Sequence, residues 1–553
     1  MPVSTTDKIL AHSKKILFAA GLLTLIALIL CINLKWLPHR DVAHRYIPMA
    51  EAFAEGDLRF AFHPRIPPLQ PLCGGIVAKC FGIDAYLALK IASCAWHLAG
   101  GVLIYLLFRT VHPDDRKVAL LGTICYLFFP YVFHMAYSGM RDSAKCTALI
   151  LLALALVKTW GEHPRWRDYL LLGIAGGLAT LIRGELMAVG LLCIFCAAVA
   201  ESASAGFPRR SAFALGVSLV FPTVNALLNH HFFGHAMPDS HFACLFLNAF
   251  GRPAHPVDWL LVAAAIAALL PLAAWGAERL FRRVPVGCFW GAALFLTVCM
   301  TIFTIFTGID RNDPGTVNEF LVLVLEGLYY FVAPMALVHV GRQIVLRKFT
   351  KAEHAVLLVA AANILLCILQ VQIFDRKLVF SSRYLYTATP LFLGFFLLGW
   401  EDIYHWFSPF LPRWCTVILL TASIAGFVFM YAYHAPQPLY REHNTPRYIV
   451  DQIAIREICR LVKSDKRPLP HRETALSPWE YHSRRSPKIL FQPETKLSVA
   501  THFVGGSMTE SEAEADYMVC ERPQGCNVSI PRNAHLLGRF TWRDRVFDVW
   551  RKE

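Results

Sequence analysis

The sequence predicts an α-helical polytopic membrane protein of about thirteen spanning helices with a small C-terminal α/β extracytoplasmic domain. Three observations predict this class. Of 553 residues, 56% are hydrophobic and only 17% are charged, where a soluble domain carries about a quarter charged residues. Mean hydropathy is +0.46, which excludes an ordinary cytosolic enzyme and a disordered chain. Apolar runs recur up to Tyr433, and no membrane-length run follows.

Taken in order, the first run is Ile16 to Trp36, behind Lys8, Lys14 and Lys15. It has no small-residue cleavage site, so it reads as an uncleaved first helix with its N-terminus inside. Ala85–Phe108, Val118–Ala136, Ala144–Val157, Tyr169–Ile182, Leu186–Ala200 and Ser211–Leu228 follow. Trp259–Trp275, Val284–Phe306, Phe320–Val340, Ala355–Phe374, Thr387–Trp400 and Cys415–Tyr433 complete the set. Alternate connections carry the basic residues: Arg109, Arg116 and Lys117; Lys158, Arg165 and Arg167; Arg209 and Arg210; Arg282 and Arg283; Arg342, Arg347, Lys348 and Lys351. This is a positive-inside pattern, and it predicts a multi-pass inner (plasma) membrane protein. An odd helix count sends residues 434–553 to the periplasmic or extracellular side. The expected division is a transmembrane catalytic domain over 1–433, with a first outer loop at about 37–84, and the tail domain over 434–553.

The net charge of +14 fits basic loops and anionic lipid ligands, so no nucleic-acid partner is expected. The 16 Cys lie mostly singly in apolar runs, where Cys acts as a small hydrophobe. In the tail, Arg447–Leu461 reads as an amphipathic helix. Ile489–Phe491, Asp516–Cys520, His535–Trp542 and Arg545–Val549 read as strands. Cys520 and Cys526 are near enough in sequence for a disulfide or for two unpaired thiols. Asn527-Val528-Ser529 matches a glycosylation sequon by pattern only.

Charges on the opposite side need another explanation. The first outer loop holds Asp41, Arg45, Tyr46 and His63. The second holds Tyr137, Arg141 and Asp142, and a late one holds Asp375, Arg376, Lys377, Arg383 and Tyr384. Arg183-Gly184-Glu185 separates two short apolar runs. An unbroken helix would bury both charges in lipid at roughly 2.5–3.5 kcal/mol each. A break at Gly184 avoids that. Arginines suit phosphate recognition, and a carboxylate beside them suits general-base chemistry on a hydroxyl or amine.

At these residues the chain resembles the GT-C superfamily of polyprenyl-phosphate-sugar-dependent glycosyltransferases. Its protein O-mannosyltransferases, lipid A aminoarabinose transferase and bacterial family 39-like members are the nearest branches. The resemblance covers most of the chain to about Tyr386 and the layout of the tail. It is carried by Asp41 after the first helix, Tyr46-Ile47-Pro48-Met49-Ala50-Glu51, Glu55-Gly56-Asp57, Pro67-Pro68-Leu69 and Cys80-Phe81-Gly82. Asp142, the glycine-rich stretch Leu172–Leu178 ending at Arg183-Gly184, and Arg383-Tyr384 before Pro390 complete it.

The resemblance implies a GT-C fold and sugar transfer from a polyprenyl-phosphate donor to a lipid, glycan or protein acceptor on the outer face. It implies Asp41 as the catalytic carboxylate and Asp142 as its acceptor-binding partner. Arg183 and Arg383 would hold the lipid phosphate, with Arg45, Tyr46 and Tyr384 assisting. Glu185 and His63 would line the acceptor side. The chain departs from the pattern at His44-Arg45-Tyr46, which is shifted by one. It departs again at Arg65-Ile66, where the aminoarabinose branch has Glu-Lys, so that branch's metal-ligand Glu is missing.

No cofactor is required by the sequence. A divalent metal remains open: His230, His231, His235 and His241 share one outer loop, with Asp239 the nearby acid. The rival reading is a transporter or flippase of a lipid-linked anionic substrate, though no internal repeat is visible. A non-catalytic scaffold is the third class.

Overall fold

The computed structural model describes residues 13–32, 42–63, 66–238, 240–281, 332–346, 348–374 and 387–407. In the tail it describes 457–458, 460–462, 465, 488–492, 507–508, 515–523, 533–542 and 545–552. The expected helices Val284–Phe306 and Cys415–Tyr433 and most of Arg447–Leu461 lie outside these residues.

The chain is mostly helical. Helix α1 (Ser13–Ile32) is followed by a π-helical turn (Val42–Tyr46), α2 (Ile47–Glu55) and α3 (Leu69–Phe81). Then come α4 (Ala85–Val111), α5 (Arg116–Leu127), α6 (Pro130–Ala136), α7 (Asp142–Thr159), α8 (Trp166–Ile182), α9 (Leu186–Ala205) and α10 (Arg209–Phe233). After α11 (Ser240–Phe250) and α12 (Pro256–Phe281), description resumes with α13 (Val332–Val345), α14 (Lys351–Phe374) and α15 (Thr389–Phe407). Among the described residues, five helices are long and apolar enough to cross a membrane, or six if the bent pair α5–α6 counts as one.

Side-chain caps start several of these helices. Asp84 accepts hydrogen bonds from Tyr86 N and Leu87 N at 2.9 and 3.2 Å, and Asp115 does the same for Lys117 N and Val118 N. Each satisfies N–H groups that a helix start leaves unpaired. The run Val118–Ala136 reads as one helix in sequence, but the structure bends it by 56°. The cause is Pro130, which lacks an N–H and starts the second helix at its first turn.

The core is helix on helix. Helix α4 packs on α7, and α8 packs on both α7 and α10. The contact of α8 with α10 is made by glycine. A Cβ on Gly173 would lie 2.6 Å from Ala214 O, so any larger residue would push the helices apart. Small residues permit such approach where lipid supplies no hydrophobic drive between helices. At the basic end, buried Glu201 of α9 accepts from Arg210 N, Ser211 N and Ser211 Oγ at 3.0, 2.8 and 2.8 Å, closing the α9–α10 connection.

A buried ionic network ties α13, α14 and α15 at the same basic end. His339 Nδ1 lies 2.9 Å from Asp402 and its Nε2 lies 3.5 Å from Glu353. Arg342 pairs with Asp402. Glu353 also accepts from Thr350 N and Oγ1, capping α14.

The tail forms a five-stranded sheet in the order β2-β1-β3-β5-β4. Its strands are β1 (Lys488–Gln492), β2 (Ser507–Met508), β3 (Tyr517–Pro523), β4 (Ala534–Trp542) and β5 (Arg545–Lys552). β1 is parallel to β2 and β3, and β5 is antiparallel to β3 and β4. Four strands fall where alternation places them; β2 carries too few residues to show a pattern. Cys520 is buried in β3, while Cys526 lies outside the described residues.

Candidate functional site

Three chain segments meet at the helix ends opposite the basic connections. The first is the π-helical turn, whose Tyr46 is 1% exposed. The second is the turn leading into α7. Gly139 stands there at φ +76°, a left-handed conformation that favours glycine. Ser93 of α4 donates to Met140 O at 2.9 Å, and Gln70 of α3 donates to Ser93 at 3.0 Å. This chain of bonds fixes the turn that presents Arg141 and Asp142. The third is the break between α8 and α9. Arg183 is extended at φ −150°, ψ 125°, and helical bonding restarts with Leu186 N to Arg183 O at 3.0 Å. The break predicted at Arg183-Gly184-Glu185 is therefore present.

The three segments gather Tyr46, Arg141, Asp142, Lys145, Arg183 and Glu185. Arg183 and Glu185 form an ion pair with side chains 5% and 14% exposed. Arg141 stands directly before α7 and lies over the Tyr46 ring, 5.9 Å from its centroid. Asp142 and Lys145 are buried one turn apart on one face of α7. Burial pushes the Glu185 carboxyl up, but the charges of Arg183, Lys145 and Arg141 outweigh it and hold it down at about 2. Glu185 is thus a fixed anion that several cations face. Its setting can bind an anion through spare guanidinium donors and can orient an acceptor through a carboxylate.

Of the residues singled out in sequence, Tyr46, Asp142, Arg183 and Glu185 come together here. Arg45 is half-buried beside Tyr46. His63 sits in a tight turn closed by Ile66 N to His63 O at 3.3 Å, and its neighbour Phe62 stacks on Phe232 of α10 at 5.3 Å. Asp41, Arg383 and Tyr384 lie outside the described residues. Sequence reasoning noted Arg141 beside Asp142 without giving it a role, and passed over Lys145. Their spacing carried a signal: positions 141 and 145 are four apart and fall on one helix face with Asp142 nearby.

In the histidine loop, the His230 and His255 rings lie 5.3 Å apart and His235 is buried. Among the described residues, no three His, Cys, Asp or Glu side chains are placed to hold one metal ion. Asp239 lies outside the described residues.

Comparison with known proteins places this cluster in a family context. Residues 65–229 match the family model of dolichyl-phosphate-mannose-protein mannosyltransferases, a stretch that includes Arg141, Asp142, Lys145, Arg183 and Glu185. No curated protein matches the sequence significantly. Among solved structures, the Archaeoglobus fulgidus oligosaccharyltransferase in complex with Zn and sulfate is similar at a TM-score of 0.53 and 14% identity. That match covers 92% of this chain and 68% of the other, so the chain spans about two thirds of its length. The same enzyme, AglB, in complex with an inhibitory peptide and a dolichol-phosphate gives a TM-score of 0.52, 14% identity, and coverage of 94% and 70%. ArnT from Cupriavidus metallidurans bound to undecaprenyl phosphate gives a TM-score of 0.41 and 13% identity, with coverage of 99% and 98%. The chain is similar to GT-C glycosyltransferases in sequence over residues 65–229, and its fold is like theirs.

Proposed function

We propose that the protein is a membrane glycosyltransferase that moves a sugar from a polyprenyl-phosphate donor to a lipid, glycan or protein acceptor on the outer face. The observation that carries this reading is the buried cluster of Arg141, Asp142, Lys145, Arg183 and Glu185, gathered at the ends away from the basic connections. Charge of this density buried between helix ends is expensive unless it serves a site, and it lies within the stretch that matches the mannosyltransferase model.

The acceptor hydroxyl or amine gives its proton to Asp41 as its lone pair attacks the sugar C1. The C1–O bond to phosphate breaks, and the polyprenyl phosphate leaves with the bonding pair. Asp142 holds and orients the acceptor. Arginines at the leaving oxygen stabilise the charge that develops there; Arg383, Tyr384, Arg45 and Tyr46 complete the donor subsite. The site faces the periplasm or exterior of a multi-pass inner membrane protein with about thirteen spans, and the tail sheet lies on that side.

The test is transfer of labelled sugar from a panel of polyprenyl-phosphate sugars in proteoliposomes, comparing wild type with Asp41→Asn. Loss of transfer with donor binding kept supports Asp41 as the base. Equal transfer by both proteins rejects that assignment.

A further inference from the structure

The cluster holds three cations, Arg141, Lys145 and Arg183, and two carboxylates, Asp142 and Glu185, which leaves one positive charge in excess among the described residues. The three cations are not equivalent. Arg183 is committed, because Glu185 pairs with it inside the break that both residues create. Lys145 is buried along α7 and adds to the field on the same Glu185. Arg141 is different. Its guanidinium is half-buried over the Tyr46 ring, yet its Nε and Nη1 are buried with no hydrogen-bond acceptor among the described residues.

A guanidinium cannot lose its proton to escape this, and buried donors without acceptors are costly. Guanidinium N–H groups left without a protein acceptor match the oxygens of a phosphate. The aromatic face beneath holds the fork in place through its ring quadrupole. The chain also fixes the position firmly. Gly139, Ser138 and the Ser93–Met140 bond set the turn, and Lys145 N to Arg141 O at 2.9 Å begins the helix.

We propose that Arg141, and not Arg183, is the side chain that grips the phosphate of the lipid donor, with Glu185 as the fixed counter-charge of Arg183. This rests on the donor reading above. It changes the sequence-based assignment: Arg183 becomes a structural half of an ion pair, and Glu185 leaves the acceptor side.

The test uses full-length protein in detergent with undecaprenyl phosphate as probe and uncharged undecaprenol as reference. Wild type is expected to prefer the phosphate by at least roughly tenfold, since charge-assisted hydrogen bonds are the strong class. Arg141→Gln should lose most of that preference while binding undecaprenol as before. Arg141→Lys should keep part of it, because the charge stays and the fork goes. The double variant Arg183→Met/Glu185→Leu should keep the preference.

Full preference in Arg141→Gln overturns the assignment, as does loss of preference confined to the double variant. Unchanged phosphate affinity in Arg141→Gln with a fallen turnover also overturns it, by giving Arg141 to a carboxylate instead. A wild type that binds both lipids equally overturns the donor reading itself.

Discussion

Glu185→Gln is the perturbation whose size follows most directly from the structure. The substitution keeps the shape of the side chain and removes the charge that faces Arg183. The Glu185 carboxyl lies at about 2 in the folded chain against an ordinary 4.5. Linkage converts that difference into about 3 kcal/mol of stability. Removing one partner of a buried pair costs about 3–5 kcal/mol. Because the folded-state value is the lower one, this stability is fully present above the ordinary 4.5 and is lost as pH falls toward 2. The assay is thermal unfolding of the full-length protein in detergent across that range. Glu185→Gln should unfold at a lower temperature at pH ~7 and should flatten the acid limb of the profile. Arg183→Met/Glu185→Leu should recover most of the loss, since a buried pair replaced whole is often neutral. An unfolding temperature equal to wild type for Glu185→Gln would refute the reasoning, because no buried counter-charge would then be at stake.

Other substitutions test neighbouring parts of the account. Asp142→Asn should slow single-turnover transfer by roughly 100-fold, the size of effect that a misplaced acceptor produces, while undecaprenyl phosphate affinity holds in a parallel binding measurement. Gly139→Ala should cost about 1–2 kcal/mol for a left-handed residue and also press on Tyr86, whose ring lies 3.3 Å from the added carbon; thermal unfolding reads this. His339→Gln should destabilise the protein by about 1–3 kcal/mol by depriving buried Asp402 and Glu353 of the imidazole that bridges them. It should leave phosphate preference unchanged, and unfolding and binding measured on one preparation separate the two effects.

Much of the helical part was legible because its signals are local. The runs Ala85–Phe108 and Leu186–Ala200 lie within the helices Ala85–Val111 and Leu186–Ala205. The break at Gly184 followed from the cost of placing Arg183 and Glu185 in lipid. The bend at Pro130 was overlooked because the residues on both sides are apolar, so hydropathy alone joins them. Lys145 was hidden for a similar reason: one lysine inside Ala144–Val157 leaves the run apolar overall, and only its partner two helices away gives it a role. Arg141 was grouped with Tyr137 and Asp142 among the unexplained outer charges, but no role was given to it. What sets it apart is burial of two donors against Tyr46, a contact between residues 95 positions apart in sequence. Such tertiary pairings leave no trace in spacing. The network of His339, Glu353 and Asp402 was unread for the same reason, since it joins three helices.

The most direct test of the central claim follows the fate of the donor. Purified wild type in proteoliposomes is given undecaprenyl phosphate bearing a labelled sugar, with a membrane extract as acceptor source. The account predicts that label passes to acceptor while free undecaprenyl phosphate forms in equal amount. Label that crosses the bilayer on intact lipid, with no free undecaprenyl phosphate released, would contradict it and identify a flippase.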